Sequence, residues 1–374
     1  MKNKSIIEII NIWKNVFVRI HYFKSLYPLS SIIKDIFLFP LDYYSNNKDI
    51  KTIRNLTIVI TNRCNIRCQM CYFHNELKNR YLLPFEQYKQ VIDAVSSSRP
   101  CVILTGGEPF THPRLLDMVA YAKFRYLPVQ IFTNGTLLKP AYVDKLVDLG
   151  LDYINFTLLG NEISHPMVAL VPKSYDLFIE NLAYFAAHRG KTKIVLNYTI
   201  TPQSFNDIEH AVKVAKQYKL DGIRFQHYNF LHSSEIEAQE NVMKRIFNQS
   251  ISLNEIQDES IYSEMAMKIL AFIKGLKEES VDIPIQWAPT LTELEILNWY
   301  SSQKFDTQRK CLYPWRGILV DADGKIYPCS KIYLPLGDLN QEDVYSVWNS
   351  EDMKFFRKHL RQKLFPACSR CCKL

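Results

Sequence analysis

From residue 53 onward, apolar β-branched runs alternate with stretches that suit helices, and this rhythm limits the fold more than any other feature of the chain. The predicted strands are Leu56 to Thr61, Cys101 to Thr105, Pro128 to Thr133, Tyr153 to Leu158, Lys193 to Ile200 and Gly222 to Tyr228. Between them lie the predicted helices Phe85 to Val95, Arg114 to Phe124, Pro140 to Leu149, Ser174 to His188 and Asn206 to Tyr218. Crossovers of this length belong to parallel neighbours, because antiparallel strands can be joined by a tight turn. An α/β fold with a parallel sheet is expected over 53–230, as an open barrel or a doubly wound layer. Residues 231–306 read as a mostly helical connector. In 307–374 the pattern changes again: ILVDADGKIYP reads as a hairpin turning at Asp323-Gly324, followed by a short helical tail, and marks a second, smaller domain. Residues 1–52 form an amphipathic helical arm by pattern, with Ile6, Ile7, Ile10, Trp13 and Val16 at helical spacing, then Ile32, Ile33, Ile36 and Phe37 before Pro40 interrupts. An arm packed on the domain is the ordinary reading, and peripheral membrane contact through residues 1–50 is the alternative.

Composition closes off several classes. Of the 374 residues, 47% are apolar and 22% charged, which excludes disorder for the whole chain. No uninterrupted apolar run reaches the ~18 residues of a membrane span, and the start lacks a small-residue cleavage site. A cytoplasmic protein is expected. The net charge of +8 is spread without a dense basic block, so nucleic acid is not expected as a partner. The cysteines number nine, an odd count, and gather at two distant places, which suggests metal rather than disulfides.

The first gathering, TNRCNIRCQMCYF, follows the first strand and brings Cys64, Cys68 and Cys71 into one loop. Three thiolates leave two readings open. His74 could complete a Cys3His zinc site, or the three could hold a [4Fe-4S] cluster whose fourth iron stays open. The second strand ends in TGGEPFTHP, where Gly106 and Gly107 permit close backbone approach and Glu108 offers a carboxylate. In parallel α/β folds such loops share the carboxyl edge, where ligands bind.

This cysteine spacing followed by GGEP after the next strand resembles the radical SAM enzymes. The resemblance implies a partial (β/α)6 barrel and a [4Fe-4S] cluster on Cys64, Cys68 and Cys71. It implies S-adenosylmethionine (SAM) on the open iron, with Gly106, Gly107, Glu108 and Pro109 in the stretch that receives the methionine amine. Met70, before the last cysteine, matches a position near adenine; Tyr72, after it, reads equally well as core. TNGT brings Thr133 and Asn134 to where relatives line the site, although Asn-Gly is also simply a good turn. In NFTLLGNEISHP, Thr157 and Leu159 stand where relatives often carry the serine and aspartate of Ser-x-Asp-Gly, a departure from the pattern. Asn197, Thr199 and Thr201 share one face of the fifth strand, either the inner one or an ordinary polar face. The implied chemistry is reductive cleavage of SAM and hydrogen abstraction from a substrate carbon, fed by an electron donor such as flavodoxin or ferredoxin.

The tail carries Cys311, Cys329, Cys368, Cys371 and Cys372. A zinc ribbon is one reading. The run CLYPWRGILVDADGKIYPC, then GDL, VWNS and PACSRC, is similar to the auxiliary-cluster domain called SPASM, or its shortened twitch form. That resemblance implies one auxiliary [4Fe-4S] cluster ligated by Cys311, Cys329, Cys368 and Cys371, suited to electron relay, with Cys372 as an alternate ligand, a free thiol or an unused residue. Cys101 reads as a small buried apolar residue. The expected function is oxidation or epimerisation of a small or carbohydrate-like substrate. A peptide-modifying maturase is the alternative, and a zinc-binding module for RNA or an acidic protein is the reading from another class.

Overall fold

The structure is a computed structural model and describes residues 39–44, 49–73, 76–250, 256–279, 281–305 and 307–374. The expected arm falls almost entirely outside these residues, as does His74. Residues 39–44 are helical and include Pro40, where the pattern was expected to break; Phe39 and Tyr43 are buried there, and the Tyr43 ring lies 4.8 Å from Trp315. Among the described residues no helix is long and apolar enough to cross a membrane.

The alternation then unfolds in chain order: β1 Asn55–Thr61, α1 Phe85–Val95, β2 Cys101–Gly106, α2 Leu115–Phe124, β3 Val129–Thr133, α3 Pro140–Asp148 and β4 Tyr153–Leu158. It continues with α4 Ser164–Ala169, α5 Ser174–His188, β5 Lys193–Thr199, α6 Ile208–Gln217, β6 Gly222–Gln226, α7 Ser233–Phe247, α8 Ser263–Glu278, β7 Ile285–Ala288 and α9 Glu293–Ser301. The last stretch holds β8 Gly317–Val320, β9 Lys325–Tyr327, β10 Gly337–Asp338, α10 Val344–Trp348 and α11 Glu351–Gln362. Strands β1 to β7 pair in parallel in chain order, which is the partial (β/α) barrel.

Two features extend that sheet. The stretch after β6, expected as mostly helical, also contributes β7, whose four residues are too few to carry a readable period. On the other edge β8 lies parallel to β1, from Asn55↔Gly317 to Ile58↔Val320, and β9 folds back antiparallel through a turn in which Gly324 has φ +85°. The hairpin expected at Asp323-Gly324 is therefore joined to the barrel sheet. Helices cover the outer face by burying one stripe each, as α1 does with Tyr88, Val91, Ile92 and Val95. Cys101 is buried, in keeping with its apolar reading.

In β4 only Thr157 is not buried, and β6 opens only at Arg224 and Gln226. These openings face one internal cavity. Its mouth is shaped by a close backbone contact between the loops after β1 and β2. Gly107 N donates to Thr61 O at 2.9 Å and Glu108 N to Arg63 O at 2.8 Å. A Cβ on Gly107 would stand 2.3 Å from Arg63 O, and one on Gly106 2.2 Å from Thr61 O. Both glycines are required by distance alone.

His227 is fully buried among Trp287, Trp299 and Tyr300. Tyr300 Oη accepts from Tyr228 N and shares a 3.0 Å hydrogen bond with His227 Nδ1. Burial lowers the His227 imidazole to about 3.

Two outcomes are expected. Gly107→Ala forces the two loops apart and costs about 1–3 kcal/mol, read as a lower urea midpoint together with a lower iron content after anaerobic reconstitution. For His227, the unfolded chain takes up a proton below about pH 6.5 while the folded chain does not, so this stability is present above pH 6.5 and lost as pH falls. The loss amounts to as much as about 1.4 kcal/mol per pH unit. Urea midpoints of wild type and His227→Gln should converge between pH 7.5 and 5, since in their difference the other titrating groups cancel; parallel profiles would refute this.

Candidate active site

The cysteine loop leaves β1 at the carboxyl edge of the sheet and is pinned on three sides. Against the glycine loop it makes the backbone pair just described. Against α4, Arg67 N donates to Ala169 O and Gln69 N to Val168 O. Against the loop after β3, a carboxamide ladder closes the gap: Asn134 Nδ2 donates to Asn65 Oδ1 at 3.0 Å and Asn65 Nδ2 to Thr136 Oγ1 at 2.8 Å. TNGT is thus a turn, with Gly135 at φ +75°, and also a brace for the cysteines.

Cys64, Cys68 and Cys71 face a cavity of about 340 Å³. Burial raises all three thiols, Cys64 to about 11, and the charges of Cys71 and Cys64 raise Cys68 further. Three half-buried thiolates that repel one another need a strongly positive centre between them, which is the demand a metal cluster meets. Among the described residues no three His, Cys, Asp or Glu side chains close around a single ion. A cube of irons, each taking one thiolate, asks for a wider arrangement than one zinc ion does.

Glu108 is 1% exposed and lines the same cavity. Its carboxylate accepts from Thr133 Oγ1 and Asn134 N, both at 2.8 Å, and from Phe110 N at 3.2 Å. Burial outweighs these donors and raises the carboxyl to about 7. A cationic ligand would reverse that shift. Pro109 is buried and does not face the cavity; it opens the short turn Pro109–Thr111 that directs Phe110 N at Glu108.

Two walls complete the cavity. From β1 to β3 and β8 come apolar Val59, Ile103, Phe132 and Leu319, with Thr57 and Thr105 among them. Strands β4 to β6 contribute Thr157, Asn197, Thr199, Arg224 and Gln226, with Thr157↔Asn197↔Arg224 and Thr199↔Gln226 in register across the strands. Met70, Tyr72, Gly106, Gly107, Thr133 and Asn134 line it as well. Leu159 packs against Ile66, with Cys64, Cys68 and Met70 around them, so an apolar contact stands where an aspartate was looked for. Thr201 does not reach the cavity: it lies past the end of β5, and its hydroxyl pairs with Ser204.

The tail cysteines gather behind this cavity. Cys368 senses the charges of Cys311 and Cys329, and Cys371 those of Cys372 and Cys368. Ile332 N donates to Cys329 Sγ at 3.3 Å and Lys373 N to Cys371 Sγ at 3.5 Å. Of the five, Cys372 is the one whose side chain lines the cavity. Arg224, Gln226, Asn229 and Lys373 were missed as lining residues from sequence. The first two were signalled by polar positions alternating in GIRFQ; the others carry no local signal.

Comparison with known proteins identifies this constellation. A model of the radical SAM superfamily matches residues 58–215, and one of an iron-sulfur cluster-binding domain, SPASM, matches 311–372; together they take in more than half of the chain. The tungsten-containing aldehyde ferredoxin oxidoreductase cofactor-modifying protein of Pyrococcus furiosus is 22% identical over 336 residues, 85% of this chain and 87% of that protein. The Fe-coproporphyrin III synthase of Methanosarcina barkeri is 30% identical over 176 residues, so the match spans 45% of this chain and 42% of that protein. The crystal structure of Streptococcus suis SuiB bound to S-adenosylmethionine has the same fold, with TM-score 0.63 at 14% identity, over 94% of this chain and 81% of that chain. The cofactors that follow are a [4Fe-4S] cluster, SAM and additional iron–sulfur in the tail, in place of zinc. The chain belongs to the radical SAM superfamily and carries a SPASM domain.

Proposed function

We propose that Cys64, Cys68 and Cys71 hold the SAM-binding cluster, that Glu108 receives the methionine amine, and that the enzyme oxidises or epimerises a small, hydroxyl-bearing substrate seated against β4 to β6. The observation that carries this reading is the shared cavity: three thiols and a buried carboxylate at one end, a row of polar side chains along one wall. When bound, cluster and SAM supply a 5′-deoxyadenosyl radical able to take hydrogen from an unactivated carbon. Everything else falls to the chain. Glu108 keeps lone pairs free beyond its three donors and can accept from an ammonium group. Apolar Val59, Ile103, Phe132 and Leu319 in the lining lower the local polarity around a reactive centre. Thr157, Asn197, Thr199 and Gln226 offer hydrogen bonds that orient hydroxyl groups.

In the tail, Cys311, Cys329, Cys368 and Cys371 are the ligand set for one auxiliary cluster. The backbone donors to Cys329 and Cys371 are the kind that tune such a centre, and Lys331, buried beside Cys368 and Cys371, offsets its charge. With four protein ligands it relays electrons rather than binding substrate. An electron donor of flavodoxin or ferredoxin type meets the first site at the cysteine loop, where Arg63 and Arg67 are exposed.

Anaerobically reconstituted protein reduced with dithionite should release 5′-deoxyadenosine from SAM, and Cys68→Ala should fall to background. Wild type that holds iron yet releases none would sink the proposal. Cys329→Ala should lose iron while retaining some SAM cleavage; full iron retention in that variant would remove the tail assignment. Mass spectrometry of the product then separates a two-hydrogen oxidation or an epimerised sugar from a modified peptide.

A further inference from the structure

Beside the tail the cavity is lined by two cations, Arg224 and Lys373, that act on the Cys372 thiol and have no carboxylate partner among the described residues. We propose that this part of the cavity is an oxyanion subsite, in which Arg224 and Lys373 receive a carboxylate or phosphate group of the substrate while the Asn197 and Asn229 carboxamide oxygens accept from its hydroxyl or amide groups. The proposal rests on the reading that the substrate occupies this cavity.

Four observations converge. Arg224 and Asn197 are register partners on β6 and β5, and both line the cavity with Asn229 and Lys373. Arg224 Nε, Asn197 Oδ1 and Asn229 Oδ1 are buried without a hydrogen-bond partner, and Asn197 is only 5% exposed. Folded chains rarely leave such groups unpaired unless a ligand completes them. Among the described residues neither Arg224 nor Lys373 forms an ion pair, and the one carboxylate lining the cavity, Glu108, is engaged with Thr133, Asn134 and Phe110. Lys373 is held in place by its ammonium lying 3.6 Å from the Tyr313 ring centre, and Tyr313 is fixed in turn by a 3.0 Å hydrogen bond to Thr57.

The pair is suited to this task. A guanidinium presents a planar fork that matches two oxygens of a carboxylate or phosphate, and an ammonium adds a point charge. Lys331 also offsets the charge of Cys368, Cys371 and Cys372, so the tail thiols do not depend on Arg224 and Lys373 alone. The orphaned amide oxygens call for donors on the same ligand, which hydroxyl or amide groups of a substrate supply.

The test is calorimetric titration of reconstituted holoenzyme saturated with S-adenosylhomocysteine, so that the cofactor's own carboxylate is already accommodated. Propionate and inorganic phosphate are the probes, and propionamide is the uncharged control. Wild type should bind at least one anion about tenfold more tightly than propionamide. Preference for propionate identifies a carboxylate-bearing substrate, and preference for phosphate a phosphoester. Arg224→Gln should weaken anion binding by about tenfold or more, with Arg224→Lys recovering part of it. Wild type that does not distinguish the anions from propionamide overturns the proposal without recourse to any variant, as does Arg224→Gln with unchanged anion affinity. Failure of 5′-deoxyadenosine release is a different result, and it strikes the proposed function rather than this subsite.

Discussion

Everything at this site depends on two backbone segments lying closer than side chains permit. The loops after β1 and β2 are locked by hydrogen bonds from Gly107 and Glu108 to the carbonyls of Thr61 and Arg63, and there is no room for a Cβ between them. Neighbouring parallel strands bring such loops together but do not by themselves fix their separation. Here the separation is fixed, and it sets three thiols and one carboxylate around a common space. The loop after β3 then follows, since Thr133 and Asn134 bond to Glu108 while Asn134 also reaches Asn65 between the first two cysteines. Three consecutive strand ends are thus one rigid unit.

That unit leaves a deliberate imbalance of charge. Glu108 sits without a cation, its carboxyl raised to about 7 by burial despite three donors. Arg224 and Lys373 line the same cavity and form no ion pair with a carboxylate among the described residues, and both help to hold the Cys372 thiol below its usual range. On the proposed reading, a cavity holding one carboxylate and two cations orients a cofactor by its ammonium group and a substrate by its acid group before any chemistry begins. Apolar Val59, Ile103, Phe132 and Leu319 in the lining lower the local polarity, which strengthens both interactions.

The strands, most of the helices and the cysteine and glycine loops were legible because each is written in a local pattern. Tyr153–Leu158 and Phe85–Val95 fall where periodicity sets them. β7 was not legible: Ile285–Ala288 is four residues long within a helical stretch and becomes a strand only because β6 offers an open edge. Leu159 shows the same limit in the site, since its position matches a polar family pattern while its neighbours Ile66 and Val168 make that position apolar. Residues such as Asn229 and Lys373 acquire meaning only from being folded against one another.

The tail illustrates the strongest of these long-range effects. Arg370 is fully buried and Glu235 nearly so, and the two form an ion pair at 2.5 Å across 135 residues of sequence. A buried charge pair is costly to desolvate and is stable only when its remaining donors and acceptors are met. Here they are. Arg370 also donates to the carbonyls of Trp299 and Ser302 and lies over the Phe230 ring, while Glu235 accepts from Ser369 and from His232 N. Replacing the pair with apolar residues could hold the tail as tightly, so its value lies in direction rather than strength. Arg370 stands between Cys368 and Cys371, and fixing its guanidinium to α7 and to the end of α9 orients the cysteine run on either side of it. The same anchor turns Cys372 and Lys373 toward the barrel, so the auxiliary site and the cavity are positioned by one set of contacts.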